Sequence, residues 1–204
     1  MRFFKSIFLI VFALVSSTFA GPEIKVGFGW LPTAELEPID EGTTYLIDRG
    51  VFYDVLSPEI SLSWDFGSIS FGPRVSHIFS NEIFGDSQET RLREWTLGAE
   101  FIYNFKMRET GDLLFPIVVN GGYHISEVKY LLQQSEVNQS GESSEFEILM
   151  GLEKIWDSKF SLGFIIGKRF AKYHIENSDF GIESTLNSND WRFEIYSRFW
   201  PMKR

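Results

Sequence analysis

Apolar and polar positions alternate with a period of two along most of the chain, and the alternation is cleanest from Ser144 to Ala171. Phe146, Ile148, Met150, Leu152 and Trp156 fall on one face of the first half of this stretch. Phe160, Leu162, Phe164, Ile166 and Phe170 fall on the same face of the second half. The intervening positions are Glu145, Glu147, Gly151, Glu153, Ser161, Gly163, Gly167 and Arg169. Successive side chains of a strand point to opposite sides. The stretch therefore predicts a β-hairpin, turning at Asp157-Ser158-Lys159, with one large apolar face and one small or charged face. That combination suits strands lying between lipid and a polar barrel interior.

The rest of the chain repeats the pattern. Ile24, Val26, Phe28 and Trp30 alternate with Glu23, Lys25, Gly27 and Gly29 in a first strand. A second ends with Ile60, Leu62, Trp64 and Phe66, opposite Glu59, Ser61, Ser63 and Asp65. Its earlier part, Val51 to Pro58, alternates poorly, and a bulge is expected near Pro58. Gly67-Ser68 predicts a tight hairpin turn into a third strand with Ile69, Phe71, Val75 and Phe79 on its apolar face. A fourth strand carries Trp95, Leu97, Ala99, Phe101, Tyr103 and Phe105 opposite Glu94, Thr96, Gly98, Glu100 and Asn104. In the fifth, Leu114, Pro116 and Val118 break an otherwise polar face of Asn120, Gly122, His124 and Ser126. The last strand runs from Trp191 to Trp200. Eight strands are thus predicted. Long polar connections at 32–49, 80–90, 127–143 and 175–190 alternate with short turns. An outer-membrane barrel has this asymmetry, with short periplasmic turns and long outer loops. Trp30, Trp64, Trp95, Trp156, Trp191 and Trp200 all fall at the ends of the predicted strands, where indole rings favour the headgroup level.

Residues 1–20 have a basic start at Arg2 and Lys5, an apolar run from Ile7 to Val15, and Thr18 and Ala20 before a cleavage point. This predicts a signal peptide at 1–20 and a barrel domain at 21–204, exported to the bacterial outer membrane. No later stretch is long and apolar enough for a spanning helix. The chain has no cysteine, hence no disulfide and no lipid-bearing cysteine. The net charge is −9 over 204 residues. Removal of 1–20, which holds two bases and no acid, makes it −11. That balance disfavours a nucleic-acid partner.

With these strands, turns and tryptophans the chain resembles the small eight-stranded bacterial outer-membrane barrels of the OmpA-transmembrane and OmpX type. The resemblance is architectural and spans residues 21–204. Trp191, Phe193, Ile195 and Phe199 resemble the family's assembly signal, although Pro-Met-Lys-Arg follows where an aromatic usually closes the chain. The resemblance implies an all-β, antiparallel up-and-down transmembrane barrel. It also implies contact with outer-membrane lipid, lipopolysaccharide and the barrel assembly machinery, and roles in anchoring, surface contact or envelope integrity. A lipid-modifying activity occurs in some members.

An eight-stranded barrel is just wide enough for its own side chains. The positions predicted to face inward include acids Glu23, Glu59, Asp65, Glu94, Glu100, Glu145, Glu147, Glu153 and Glu194. The bases are Lys25, Arg74, Arg169, Arg192 and Arg198. Pairing Trp156 with Phe160 sets Glu147 opposite Arg169, and lumen ion pairs are expected from Glu147, Arg169, Arg74 and Glu100. His124 and Ser126 share a face, with Glu94 opposite Ser126. The His-x-Ser pair resembles that of the barrel lipid A deacylases, which act from the outer wall, whereas this pair points inward. No Gly-x-Ser-x-Gly elbow is present. The three histidines, His77, His124 and His174, lack metal-ligand spacing, so no metal or cofactor is expected. Arg91, Arg93, Lys168 and Lys172 face outward near the outer rim, placed for snorkelling or for lipopolysaccharide phosphates. The resulting expectation is a non-enzymatic anchor presenting acidic surface loops. The alternatives are a lipid A hydrolase, a small cation-permeable pore, or a soluble lipocalin-like carrier with an inverted face polarity.

Overall fold

A computed structural model describes residues 21–38, 50–84, 88–107, 112–132, 135–157, 159–177 and 182–201. The expected signal peptide lies outside the described residues. Eight strands form: β1 (Pro22–Pro38), β2 (Gly50–Asp65), β3 (Ile69–Phe84), β4 (Gln88–Lys106), β5 (Leu113–Leu132), β6 (Ser135–Asp157), β7 (Phe160–Asn177) and β8 (Ile182–Phe199). Each pairs antiparallel with the next, and β8 returns to β1, closing the barrel. Closure leaves no free strand edge, the condition for crossing a bilayer with strands.

The two faces separate as the alternation predicts. Phe28, Leu62, Leu97, Phe101, Ile148, Leu152, Phe164 and Ile195 are exposed on the outside. All fourteen charged residues expected inside are buried, and Asp190 joins them, giving ten acids and five bases among the described residues. A soluble carrier would need the reverse arrangement.

Several details differ from the sequence expectations. The strands are 16 to 23 residues long, well beyond the ~9–11 that span a bilayer. Residues 32–38, 80–84, 88–90, 127–132, 135–143, 175–177 and 182–190 are therefore strand, so the strands run on past the expected loop boundaries. Outside the bilayer neither strand face need be apolar, so these parts show no alternation. Pro58 makes no bulge: β2 holds one register against β1 from Gly50 to Trp64, with Pro58 opposite Phe28. The pattern fails there because Val55 is apolar yet faces inward, buried opposite Leu31. The irregular backbone is at Asp54, with φ of 49°. Its carboxylate accepts a bond from the Trp30 indole at 3.1 Å. At the β6–β7 turn the pairing is Asp157 with Phe160, after a register shift from Ile155, rather than Trp156 with Phe160.

The tryptophans are also rearranged. Trp30, Trp95 and Trp191 lie within long strands, at the upper edge of the apolar belt and not at strand ends. Trp200 is fully buried and donates to Glu23 at 3.0 Å, so it sits under the barrel instead of in a girdle.

The interior has an apolar layer. Ile102, Val118, Leu149, Ile165 and Tyr196 form one buried cluster. Val118, one of the three breaks in the polar face of β5, belongs to it, and the other two, Leu114 and Pro116, also point inward and are buried. Gly163 makes room for the Tyr196 ring, since a Cβ at Gly163 would lie 2.2 Å from it. Gly163→Val is expected to expel Tyr196 and to lower the temperature at which the folded band shifts in heat-modifiable gel electrophoresis. The turn between β2 and β3 uses Gly67 at φ 90°. Its N–H donates to Asp65 at 2.7 Å.

Candidate functional site: the ion network of the lumen

The inward positions of all eight strands converge on one polar network crossed by the apolar layer. At the end of the barrel where β1 begins and β8 ends, Glu153 collects three donors: Arg198, the Tyr196 hydroxyl at 3.0 Å and the Ser161 hydroxyl at 2.5 Å. Arg198 also donates to Asn104 at 3.0 Å.

In the middle, Lys25 meets three carboxylates: Glu59 at 2.7 Å, Glu194 at 2.8 Å, and Glu100. Ser61 donates to Glu100 at 2.6 Å. Arg192 spans Glu59 at 2.5 Å, Glu147 at 2.7 Å and Glu194 at 3.1 Å. Arg74 links Glu59 at 3.0 Å to Glu145 at 2.8 Å and Glu147 at 3.1 Å. These bonds cross the barrel axis, and charge-assisted bonds of this kind are strong and directional. Their members are 0–5 % exposed, so the lumen is filled by side chains, as its strand number requires.

Toward the outer end Arg169 donates to Glu145 at 3.0 Å and to the Tyr173 hydroxyl at 3.0 Å, and it pairs with Glu94. Tyr173 in turn donates to Glu94 at 3.0 Å. His124 Nδ1 contacts the other oxygen of Glu94.

Glu147, Arg169, Arg74 and Glu100, the residues expected to form lumen ion pairs, all lie in the network, with more partners than the cross-strand pairing alone suggests. Glu147 stands directly opposite Arg169 in the register, yet their closest approach is 3.8 Å. Glu147 is held instead by Arg192, Arg74 and Asn120, the last at 2.7 Å. Cross-strand neighbours thus gave the register and a long ion pair, while the shorter bonds go to Arg192 and Arg74, because arginine reaches past the adjacent strand. A double-mutant cycle on Glu147→Gln and Arg192→Met is expected to show a coupling of ~1.5–3 kcal/mol. The cycle of Glu147→Gln with Arg169→Met should couple by less than half of that. Equal couplings would contradict the assignment.

Glu94, His124 and Ser126 all face the lumen and are buried. His124 and Glu94 have the contact of a base and its orienting acid. His124 Nε2, however, has no hydrogen-bond partner among the described residues. The Ser126 hydroxyl therefore does not reach it, and the pair is closed off from lipid. Ligand atoms of Glu94, His124 and Glu145 lie within 4.8 Å of one another, a grouping that sequence spacing did not reveal because Glu145 comes from β6. Oxygens of both carboxylates are already bonded to Arg169, and Glu145 also to Arg74, so a metal ion there would compete with protein cations. Tyr173 and Asp190 were not anticipated. Tyr173 lies four residues beyond Arg169 on the inward face of β7, and that spacing is the signal that could have found it.

On the outside, Arg93, Lys168 and Lys172 point away from the lumen near the outer rim. Lys168 lies 4.7 Å over the Trp191 ring. The side chain of Arg91 lies outside the described residues.

A closed barrel of eight antiparallel strands, apolar without and ionic within, is a transmembrane β-barrel. No protein-family model matches the chain, and no curated protein matches it in sequence. Among solved structures it is similar to Neisserial surface protein A, at 14% identity and a TM-score of 0.57, over 88% of this chain and 97% of that one. It is also similar to Ail, the attachment invasion locus protein of Yersinia pestis, at 12% identity and a TM-score of 0.50, over 88% of this chain and 99% of that one. Ail in complex with the heparin analogue sucrose octasulfate gives the same values. The chain has the fold of these small bacterial outer-membrane barrels.

Proposed function

We propose that this protein is a non-enzymatic outer-membrane anchor that holds acidic segments at the cell surface on a sealed barrel. The observation carrying this reading is the lumen network: its buried cations and carboxylates bridge strands on opposite sides and fill the interior. The outer ends support the second half of the reading. Residues 32–49 hold five acids and one base, and residues 80–90 hold three acids and no base. Such segments repel polyanions, so a surface partner would be neutral or basic, unlike the sulfated ligand seen on Ail. The outward Trp191, Phe193, Ile195 and Phe199 of β8 support recognition by the barrel assembly machinery.

The hydrolase alternative rests on His124, Ser126 and Glu94. The burial of all three inside the lumen argues against it, since a lipid substrate would have to enter a filled interior.

Two measurements on cells test the proposal. Protease added to intact cells is expected to cut the segments joining β1 to β2 and β7 to β8, leaving a membrane-protected barrel. Lipid A mass spectra are expected to be the same with and without the gene. A chain fully protected from external protease would remove the surface role, and a lipid A product lost with the gene and with His124→Ala would establish the enzyme.

A further inference from the structure

We propose that the outer wall of β6, β7 and β8 carries a binding site for a phosphorylated glycolipid of the outer leaflet. The inference rests on the outer-membrane placement above. A pocket of about 450 Å³ opens there on the lipid-facing side. Its floor is the backbone of one paired row, Glu145, Ala171 and Ser188, whose side chains point into the lumen. The row above it is Ser144, Lys172 and Asn187, and the row below is Phe146, Phe170 and Asn189. The pocket is thus polar and cationic on its outer side and aromatic on its inner side. An amphiphile has the same order, with its head toward water and its chains toward the bilayer core.

Charge points to the class of head. Lys172 is exposed and has no ion-pair partner among the described residues. The nearest acid in the row above, Glu142, receives a hydrogen bond from Tyr123 on the far side of β6. Below the aromatic row, Lys168 rests over Trp191 and reaches up toward the Asn189 carbonyl at 3.5 Å. The two lysines stand four residues apart on β7, about 13 Å at strand rise, with Phe170 between them. The two ammonium groups share this outward face, with Lys168 drawn up to the Asn189 carbonyl, and beside the amide of Asn187 and the hydroxyl of Ser144 they suit a sugar head bearing two phosphates. Chains leaving it would lie on Phe146 and Phe170. Arg93, outward on β4, is not among the residues that line this pocket.

The test uses the purified full-length barrel in detergent and native mass spectrometry of lipid adducts. The probes are diphosphoryl lipid A, dephosphorylated lipid A, phosphatidylglycerol and inorganic phosphate. Diphosphoryl lipid A is expected to bind in preference to the other three. Lys168→Gln/Lys172→Gln should weaken it about tenfold or more, while Arg93→Gln leaves it unchanged. Asn187→Leu, a change on the exposed face, serves as a second variant and should also weaken it. Unaltered adducts in both pocket variants, equal binding of dephosphorylated lipid A, or equal loss in Arg93→Gln would each overturn the site. Because the assay is carried out on purified protein, its failure leaves the surface-anchor result from intact cells standing on its own.

Discussion

Lys25→Met is expected to destabilise the barrel by ~3–5 kcal/mol, the range for leaving buried charges without their partner. Lys25 is fully buried and is the shared cation of Glu59, Glu100 and Glu194. Its ammonium also lies 5.1 Å over the Tyr196 ring, tying the ion network to the apolar layer. The lumen already holds ten acids against five bases among the described residues. Losing Lys25 therefore leaves three carboxylates facing one another in a region already short of cations. Lys25→Met/Glu100→Gln should recover part of the loss, since it removes one of the orphaned charges. Lys106→Met, at an exposed position on the inner rim, should change stability by no more than ~0.5 kcal/mol. Urea unfolding in lipid vesicles reads all three. A Lys25→Met variant as stable as Lys106→Met would mean that the lumen is wet and that the network contributes little.

Phe164→Asp is the second large effect, and it reports on the other face. Phe164 points outward, between Leu152 of β6 and Ile195 of β8. All three are 46–58% exposed to what would be lipid. A carboxylate there must enter hydrocarbon, at a cost of about 2 kcal/mol or more near the bilayer middle. Ser161→Asn is the matched inward change. Ser161 is buried against Glu153, and an amide keeps a donor for that carboxylate. Folding yield into vesicles should collapse for Phe164→Asp and stay near that of the unaltered protein for Ser161→Asn. Similar yields would mean that the two faces of β7 have been exchanged.

The contrast between these residues shows what was legible in sequence. Phe164 and Ser161 could be assigned to their faces because strand alternation has a strict period of two and a one-residue slip would invert every side chain. The same strictness placed the expected lumen charges inside. Partners were less legible. Arg192 of β8 reaches Glu59 of β2, across β1, and no strand-to-strand pairing rule identifies such a contact. The apolar layer was misread for a related reason: Val118 looks like a break in a polar face until Ile102, Leu149 and Ile165 come round from other strands to meet it. Strand ends were hidden because, beyond the bilayer, neither face need be apolar. Trp200 follows the last strand and turns under the barrel to Glu23, residues 177 apart in sequence, so its burial had no local signature.

The central claim is that this barrel is sealed, and single-channel recording from the purified protein in planar bilayers tests it most directly. Glu59, Glu147, Arg74 and Arg192 are bonded across the axis, and Ile102, Val118, Leu149 and Ile165 pack in a buried layer beside them. The account predicts no steady conductance. Reproducible cation-selective steps that disappear with Glu147→Gln or Glu100→Gln would contradict it and make the acidic lumen a small pore.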